Sequence, residues 1–456
     1  MAGASDKARF YLERSVPELH ELLRKKLFTE QEITSIAKTR SDFEHKVNAR
    51  GSRPVDWARY AQYEMNLESL RQRRIKRKGL KNSGHTGQRR IFFILDRATK
   101  KFSGDIGLWM QYIEFARKQK ANKKLSQILT AVLRLHPTNP DLWIYAANYA
   151  LDERSDIAES RSCMQRGLRF CKGSRQLWCE YAKLEMMYIS KIHARGRILG
   201  LQRPDNDKAG FGDDTVDIPR TIDNETGSEA FEYIDEEILE KLQGSPALSG
   251  AIPIAIIESA MKQFAWDSAL GKELFDTVAS FRGVPCVAKI LRHIVQGLQS
   301  TTPSSPATMS CFFKEPTLSD GPVSAGFPAA LRSSLDRLKI SVETLSASSN
   351  LESTARSRSI LAREVINWIL DLHTHDVLDQ DVTKVLLAIL KKTWNQFIID
   401  LEMSPGINAH EFSEVLETLQ KKEFKGLAAS GVIVGLRLWP EHTHLLAIQR
   451  AAITWA

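Results

Sequence analysis

Charge is the first feature of this sequence that could do chemistry. From Arg71 to Arg90 the chain carries nine basic residues and no acid. Seven of them, Arg71, Arg73, Arg74, Lys76, Arg77, Lys78 and Lys81, fall within twelve consecutive positions starting at Leu70. Guanidinium and ammonium groups at that density suit phosphate oxygens, so these seven are the RNA-binding candidates. The same run would also serve as a nuclear import signal, or as the solvated end of a helix continuing from Tyr63 to Lys78. No aromatic ring interrupts it, so base stacking is not expected of it.

The opposite charge gathers further along. Between Asp205 and Glu240 thirteen acids face only Lys208 and Arg220. Pro204, Gly210, Gly212, Pro219 and Gly227 punctuate this stretch, and self-repulsion predicts a solvated, disordered insertion over 204–243. The adjacent acids Asp235, Glu236 and Glu237 are read there as a charged face, not as an acid/base pair. His373 and His375, like His442 and His444, are two residues apart, which in a helix turns their rings about 200° from one another and disfavours chelation. Cys163, Cys171 and Cys179 recur every eight residues, but no histidine stands at finger-like spacing. A phosphate-binding Gly-x-x-x-x-Gly-Lys-Ser/Thr loop, a Gly-x-Ser-x-Gly elbow and a His-Glu-x-x-His pair are all missing. The reading is therefore a non-enzyme with no catalytic, cofactor or metal residues. An enzyme whose site is assembled across the C-terminal half is the alternative.

These charges need elements to hold them. A chain of 456 residues exceeds one ordinary core, so two or three domains or a lengthwise repeat array are expected. At 43% hydrophobic and 26% charged residues the composition is that of folded soluble proteins. The apolar stretch Gly426–Leu436 is halted by Arg437, short of the ~20 residues of a bilayer span, and no membrane association is expected. The charged N-terminus lacks the apolar core of a signal peptide, and five cysteines fit a reducing compartment, cytosolic or nuclear.

A repeat lies in the tryptophans. Trp57, Trp109, Trp143 and Trp178 each have apolar or small residues three, four and six positions on: Tyr60, Ala61 and Tyr63; Tyr112, Ile113 and Phe115; Ala146, Ala147 and Tyr149; Tyr181, Ala182 and Leu184. At helical spacing these share a face, so each tryptophan should be repeat core. The last three tryptophans are 34 and 35 residues apart, the length of one helix–turn–helix unit. Second-helix segments begin fifteen residues before a tryptophan at Ile94, Ile128 and Cys163, and Ser103-Gly104, Pro137 to Pro140 and Lys172 to Ser174 supply the turns. The result is an all-α fold, an α-solenoid of helical hairpins with an N-terminal helical region. Further helices are expected over Pro253–Phe264, Leu270–Ala279, Pro285–Leu298, Leu361–Leu372, Val382–Leu401, Phe412–Leu419 and Ala447–Ala456. The predicted organisation is an N-terminal helical domain with the first repeat helix and the basic segment over 1–86, repeats over 87–203, the acidic insertion, and diverged repeats over 244–456. Residues 300–359, rich in Ser, Thr, Pro and Ala, are expected to form a linker or long loop within the last, with a short helix at Ala329–Leu345.

The tryptophan pattern resembles half-a-tetratricopeptide (HAT) repeats of RNA-processing assemblies. The N-terminal segments narrow the resemblance: Tyr11 to Leu19, Leu27 to Ile33, Arg40 to Glu44 and Tyr60 to Leu67, followed by the basic run. Their order is similar to the U-three small nucleolar RNA-associated protein six family. That resemblance implies a non-catalytic scaffold subunit of the nucleolar small-subunit processome, acting in maturation of 18S ribosomal RNA and biogenesis of the 40S subunit. It implies tandem β-propeller (WD40) subunits of the same subcomplex as partners. U-three RNA and the 5′ external transcribed spacer of the pre-ribosomal RNA would be bound directly or indirectly. The rival is a HAT-repeat scaffold of another RNA-processing machine, for splicing or 3′ end cleavage.

Overall fold

The computed structural model describes residues 4–79, 85–198, 249–319, 326–346, 351–373, 379–404, 406–422 and 424–453, with positions 321 and 324. The acidic stretch and Lys81 lie outside these. Every regular element among the described residues is an α-helix. The first ten are α1 (Ala4–Glu13), α2 (Val16–Arg24), α3 (Glu30–Asn48), α4 (Pro54–Arg77), α5 (Thr86–Lys101), α6 (Ile106–Lys118), α7 (Asn122–Leu135), α8 (Pro140–Asp152), α9 (Ile157–Phe170) and α10 (Arg175–Ile198). Then come α11 (Ala251–Gln263), α12 (Ser268–Ala279), α13 (Val287–Thr301), α14 (Pro306–Ser319), α15 (Phe327–Ser346), α16 (Leu351–His373), α17 (Gln380–Met403), α18 (Ala409–Lys421), α19 (Lys425–Leu438) and α20 (Thr443–Ile453).

The helices gather into two compact units, Met1–Ala150 with Ser162–Lys172 and Leu151–Arg161 with Gly173–Ala456. Within each unit helices pack on the next in sequence and often on the one beyond, as α4 does on α5 and α6 in the first and α12 on α13 and α14 in the second. This nearest-neighbour packing is that of an α-solenoid built from hairpins.

The tryptophan-bearing helices are α4, α6, α8 and α10, alternating with α5, α7 and α9. Trp57, Trp109 and Trp143 are 2%, 6% and 4% exposed, whereas Trp178 is half-buried between the buried Leu177 and Cys179. Most of the extra spacing between Trp57 and Trp109 comes from α4, which at 24 residues runs about three turns longer than the 13-residue α6, and most of the rest from the longer connection to α5. In the second unit the core gathers around Phe313, Trp368, Trp394, Phe397 and Phe412, with Trp394 donating to Ser430 Oγ at 3.1 Å.

One expectation is overturned. Residues 300–359 are no linker: α14, α15 and the start of α16 occupy most of them, and Met309, Phe313, Phe327, Leu331 and Leu345 enter the core. The serines and threonines that suggested a loop instead donate to carbonyls three or four residues back, Ser310 to Ala307 at 2.8 Å, Thr317 to Lys314 at 3.0 Å and Ser341 to Arg337 at 2.9 Å. A hydroxyl satisfied by its own helix can be buried in it.

Candidate nucleic-acid interface

The basic run is the last part of α4. Pro54 opens this helix at a position where its missing N–H costs nothing, and the backbone N–H of Arg53 is capped by Asp56 Oδ2 at 3.0 Å. At the other end Lys78 is the C-cap and Gly79 adopts φ +62°, the left-handed turn that ends helices. Cations in the final turns are favoured by the carbonyl end of the helix dipole, which explains why so basic a sequence stays helical.

A helix gives the cations different surroundings. Arg71 is 8% exposed and contacts Glu68 at 3.2 Å, in a carboxylate that also accepts from Gln72 at 3.1 Å. Burial raises the Glu68 pKa, with Arg71 opposing it. Arg74 turns towards the α2–α3 turn: it donates to the Leu27 carbonyl at 3.0 Å, forks onto Glu32 at 2.6 and 2.8 Å, and lies 4.5 Å from the Phe28 ring. Glu32 is meanwhile half of the capping box of α3, accepting from the Thr29 N–H at 2.9 Å. The Arg74 hydrogen bonds, then that of Thr29, hold its pKa at about 2. Lys78 Nζ donates to the Lys26 carbonyl. Ile75, beside them, enters the small core of Leu19, Leu22, Leu27, Phe28 and Ile36.

Arg73, Lys76 and Arg77 occupy the opposite side, all exposed and in no ion pair among the described residues. Spaced three and four apart, they form one solvent stripe. Of the seven candidates, then, three form this stripe, Lys78 is exposed but tethered, Arg71 and Arg74 hold the fold, and Lys81 is outside the described residues.

The interior along α4 is charged as well, a feature its sequence does not advertise. Arg40, 1% exposed, forks onto Glu64 at 2.7 and 2.8 Å and approaches Glu18 at 3.5 Å. Arg90 reaches Glu18 at 2.9 Å. Glu44 takes the Tyr60 hydroxyl and Arg97, each at 3.1 Å. Such buried pairs leave no periodic signal, because the residue types are those of surfaces.

Residues 12–94 match the family model described as U3 small nucleolar RNA-associated protein 6. The Schizosaccharomyces pombe protein of that name is 37% identical over 219 residues, which cover 46% of this chain and 45% of the relative. A Mus musculus homolog is 31% identical over 269 residues, 58% of this chain and 42% of its own length. A Homo sapiens homolog is 34% identical over 185 residues, 40% of this chain and 31% of its own. The chain thus spans less than half the length of each of these curated relatives. The matched segment ends in α5 and takes in the helices that surround the basic run. The chain resembles the U3 small nucleolar RNA-associated protein 6 family, through the segment that packs α2, α3 and α5 around α4.

Proposed function

We propose that the chain acts as a non-catalytic scaffold with U3 small nucleolar RNA, as a subunit of the nucleolar small-subunit processome in pre-18S ribosomal RNA processing and 40S biogenesis. The observation that carries this reading is the family match over residues 12–94, whose relatives are named for association with U3 RNA. The fold supports it, because stacked hairpins present long helical surfaces to partners without requiring a pocket. The solvent stripe of Arg73, Lys76 and Arg77 supplies phosphate contacts from this scaffold, which give affinity and orientation but little sequence choice. Protein partners, tandem β-propeller subunits in this reading, supply the specificity, and the RNA is U3 together with the 5′ external transcribed spacer.

Purification of the tagged chain from nuclear extract, with crosslinking read out for protein and RNA together, tests the proposal. U3 RNA, spacer RNA and propeller proteins should be recovered, and the tagged chain should be nucleolar. Recovery of spliceosomal or 3′ cleavage subunits in their place would overturn it.

A further inference from the structure

The junction of α1 and α5 carries a second surface suited to RNA, and this inference rests on the reading just given. Two phenylalanines face solvent there, Phe10 at 60% exposed and Phe93 at 37%. Tyr11 lies between them, its ring centroid 5.5 Å from each. The Arg97 guanidinium sits 3.8 Å over the Tyr11 ring and is itself held by Glu44, which fixes the tyrosine from beneath. The Phe93 ring already carries two cations, Arg97 at 5.3 Å and Arg14 at 5.8 Å from its centroid. Arg14 and Arg89, the latter one helical turn before Phe93, are exposed and in no ion pair among the described residues.

Single exposed aromatics are ordinary on protein surfaces. An ordered group of three rings, flanked by guanidiniums that meet no carboxylate among the described residues and with its central ring pinned, is less so. We infer that Phe10, the most exposed ring of the group, is a stacking platform for an unpaired RNA base beside the cation-covered Phe93, with Arg14 and Arg89 attracting the adjoining phosphates. Rings of this kind bind any base, since every base has a π-face, and cations beside them hold the strand. A protein partner would need apolar area here, whereas exposed guanidiniums without a carboxylate partner among the described residues complement a polyanion.

The platform and the α4 stripe are offset along the helix axes. Gly87 in α5 abuts the Glu68 and Arg71 side chains of α4, while Lys101 at the other end of α5 lies near Trp57. The two helices are therefore antiparallel. Phe93 lies six residues down α5 from Gly87, and Arg77 lies six residues up α4 from Arg71. At the α-helical rise this separates platform and stripe by roughly 18 Å along the helix axes.

Fluorescence anisotropy of the full chain with a labelled single-stranded RNA, and with the same RNA as a duplex, tests the platform across a salt series. Phe10→Leu keeps apolar area and removes the π-face. It should weaken single-strand binding about five-fold or more, leave duplex binding and the salt slope unchanged, and be rescued by Phe10→Tyr. If Phe10→Leu binds the single strand as the parent does, the platform is wrong, while a salt slope that still depends on Arg73, Lys76 and Arg77 would leave the α4 reading intact. Equal losses on single strand and duplex would also overturn the platform. So would unchanged RNA binding with loss of a protein partner, which makes the surface a protein-docking face. If the parent chain binds neither RNA, platform and stripe both fall.

Discussion

Trp143 donates its indole N–H to the carbonyl of Pro137 at 2.9 Å, and one repeat earlier Trp109 donates to Ser103 at the same distance. Each acceptor is shared with the following hairpin: His136 Nε2 lies 2.8 Å from the Ser103 carbonyl and Cys171 Sγ 3.4 Å from that of Pro137. A carbonyl left over at one turn is thus held by the next tryptophan and by the end of the next second helix. The tryptophan's place in the repeat therefore involves its nitrogen as well as its bulk. The motif is not universal, since the indole nitrogens of Trp57 and Trp178 are buried without a partner among the described residues.

Two substitutions separate bulk from nitrogen. Trp143→Phe should keep a ring against Phe170, which stacks on Trp143 at 6.1 Å and 11°, while deleting the donor. The expected cost is about 1 kcal/mol. Trp143→Ala should cost about 3–5 kcal/mol by opening a cavity. Urea denaturation of both variants checks this, and equal losses would mean the ring's packing adds nothing beyond the hydrogen bond.

The division of the basic run gives a second prediction. Alanine at Arg73, Lys76 and Arg77 together should lower RNA affinity and flatten its salt slope by up to about 0.7 for each single-strand phosphate no longer neutralised. Each change should leave stability within about 0.5 kcal/mol. Arg71→Ala should instead cost about 1–3 kcal/mol, because it removes the cation beside the buried Glu68 carboxylate. Anisotropy and melting on the two variants check it. A triple variant that melts early, or an Arg71→Ala chain with full stability and a flattened salt slope, would contradict the assignment.

How much of the fold and the basic surface is legible in the sequence depends on residue type. Trp109, Tyr112 and Ile113 disclose a helix and its buried face together, because large apolar side chains at helical spacing have one economical arrangement. Ser310, Thr317 and Ser341 mislead, since hydroxyls signal turns and their bonds to the preceding helical turn cannot be told apart in sequence. Arg71 and Arg73 look identical in sequence, yet one is inside and the other outside. Only the register of α4 against α2, α3 and α5 separates them. The stacking platform is invisible for a related reason: Tyr11, which adjoins Phe10, is 82 residues from Phe93 and meets it only when α1 comes near α5.

Gly87 offers a third test, of the close approach between α4 and α5. A Cβ placed there would stand 2.0 Å from Glu68 Oε2 and 2.8 Å from its Cδ. Glu68 has little freedom to retreat, being buried and bound by Arg71 and Gln72. Gly87→Ala, usually favourable within a helix, should here destabilise by about 1–3 kcal/mol. A paired Glu68→Ala should recover part of the loss, and a double-mutant cycle without coupling would show that the two positions do not meet.

The last prediction concerns acid and the second unit. Glu364, 6% exposed, receives Lys272 at 2.6 Å, Lys314 at 2.9 Å and Arg363 at 3.2 Å, and Arg363 goes on to Glu411 at 2.6 Å. Burial alone would raise the Glu364 pKa, but the Lys314 and Lys272 ammonium groups outweigh it and bring it from an ordinary 4.5 to about 2. The folded carboxylate therefore resists protonation more than the unfolded one. Its stabilising contribution is full above about pH 4.5, declines as acid protonates the unfolded chain first, and is gone below about pH 2. Asp276 works against this limb, because burial pushes its carboxyl up and lets the folded state take a proton earlier. Glu364→Gln removes the buried carboxylate that two partly exposed lysines share, leaving them Asp276 as a more distant counter-charge, so at neutral pH it should cost about 1–3 kcal/mol. The parent and variant should then converge as pH falls from about 4.5 towards 2. Hydrogen exchange of α12, α14 and α16 amides across that range reads this unit directly, without assuming that the whole chain unfolds in one step. A constant gap between parent and variant down to pH 2 would show that the Glu364 charge is not what holds these helices together.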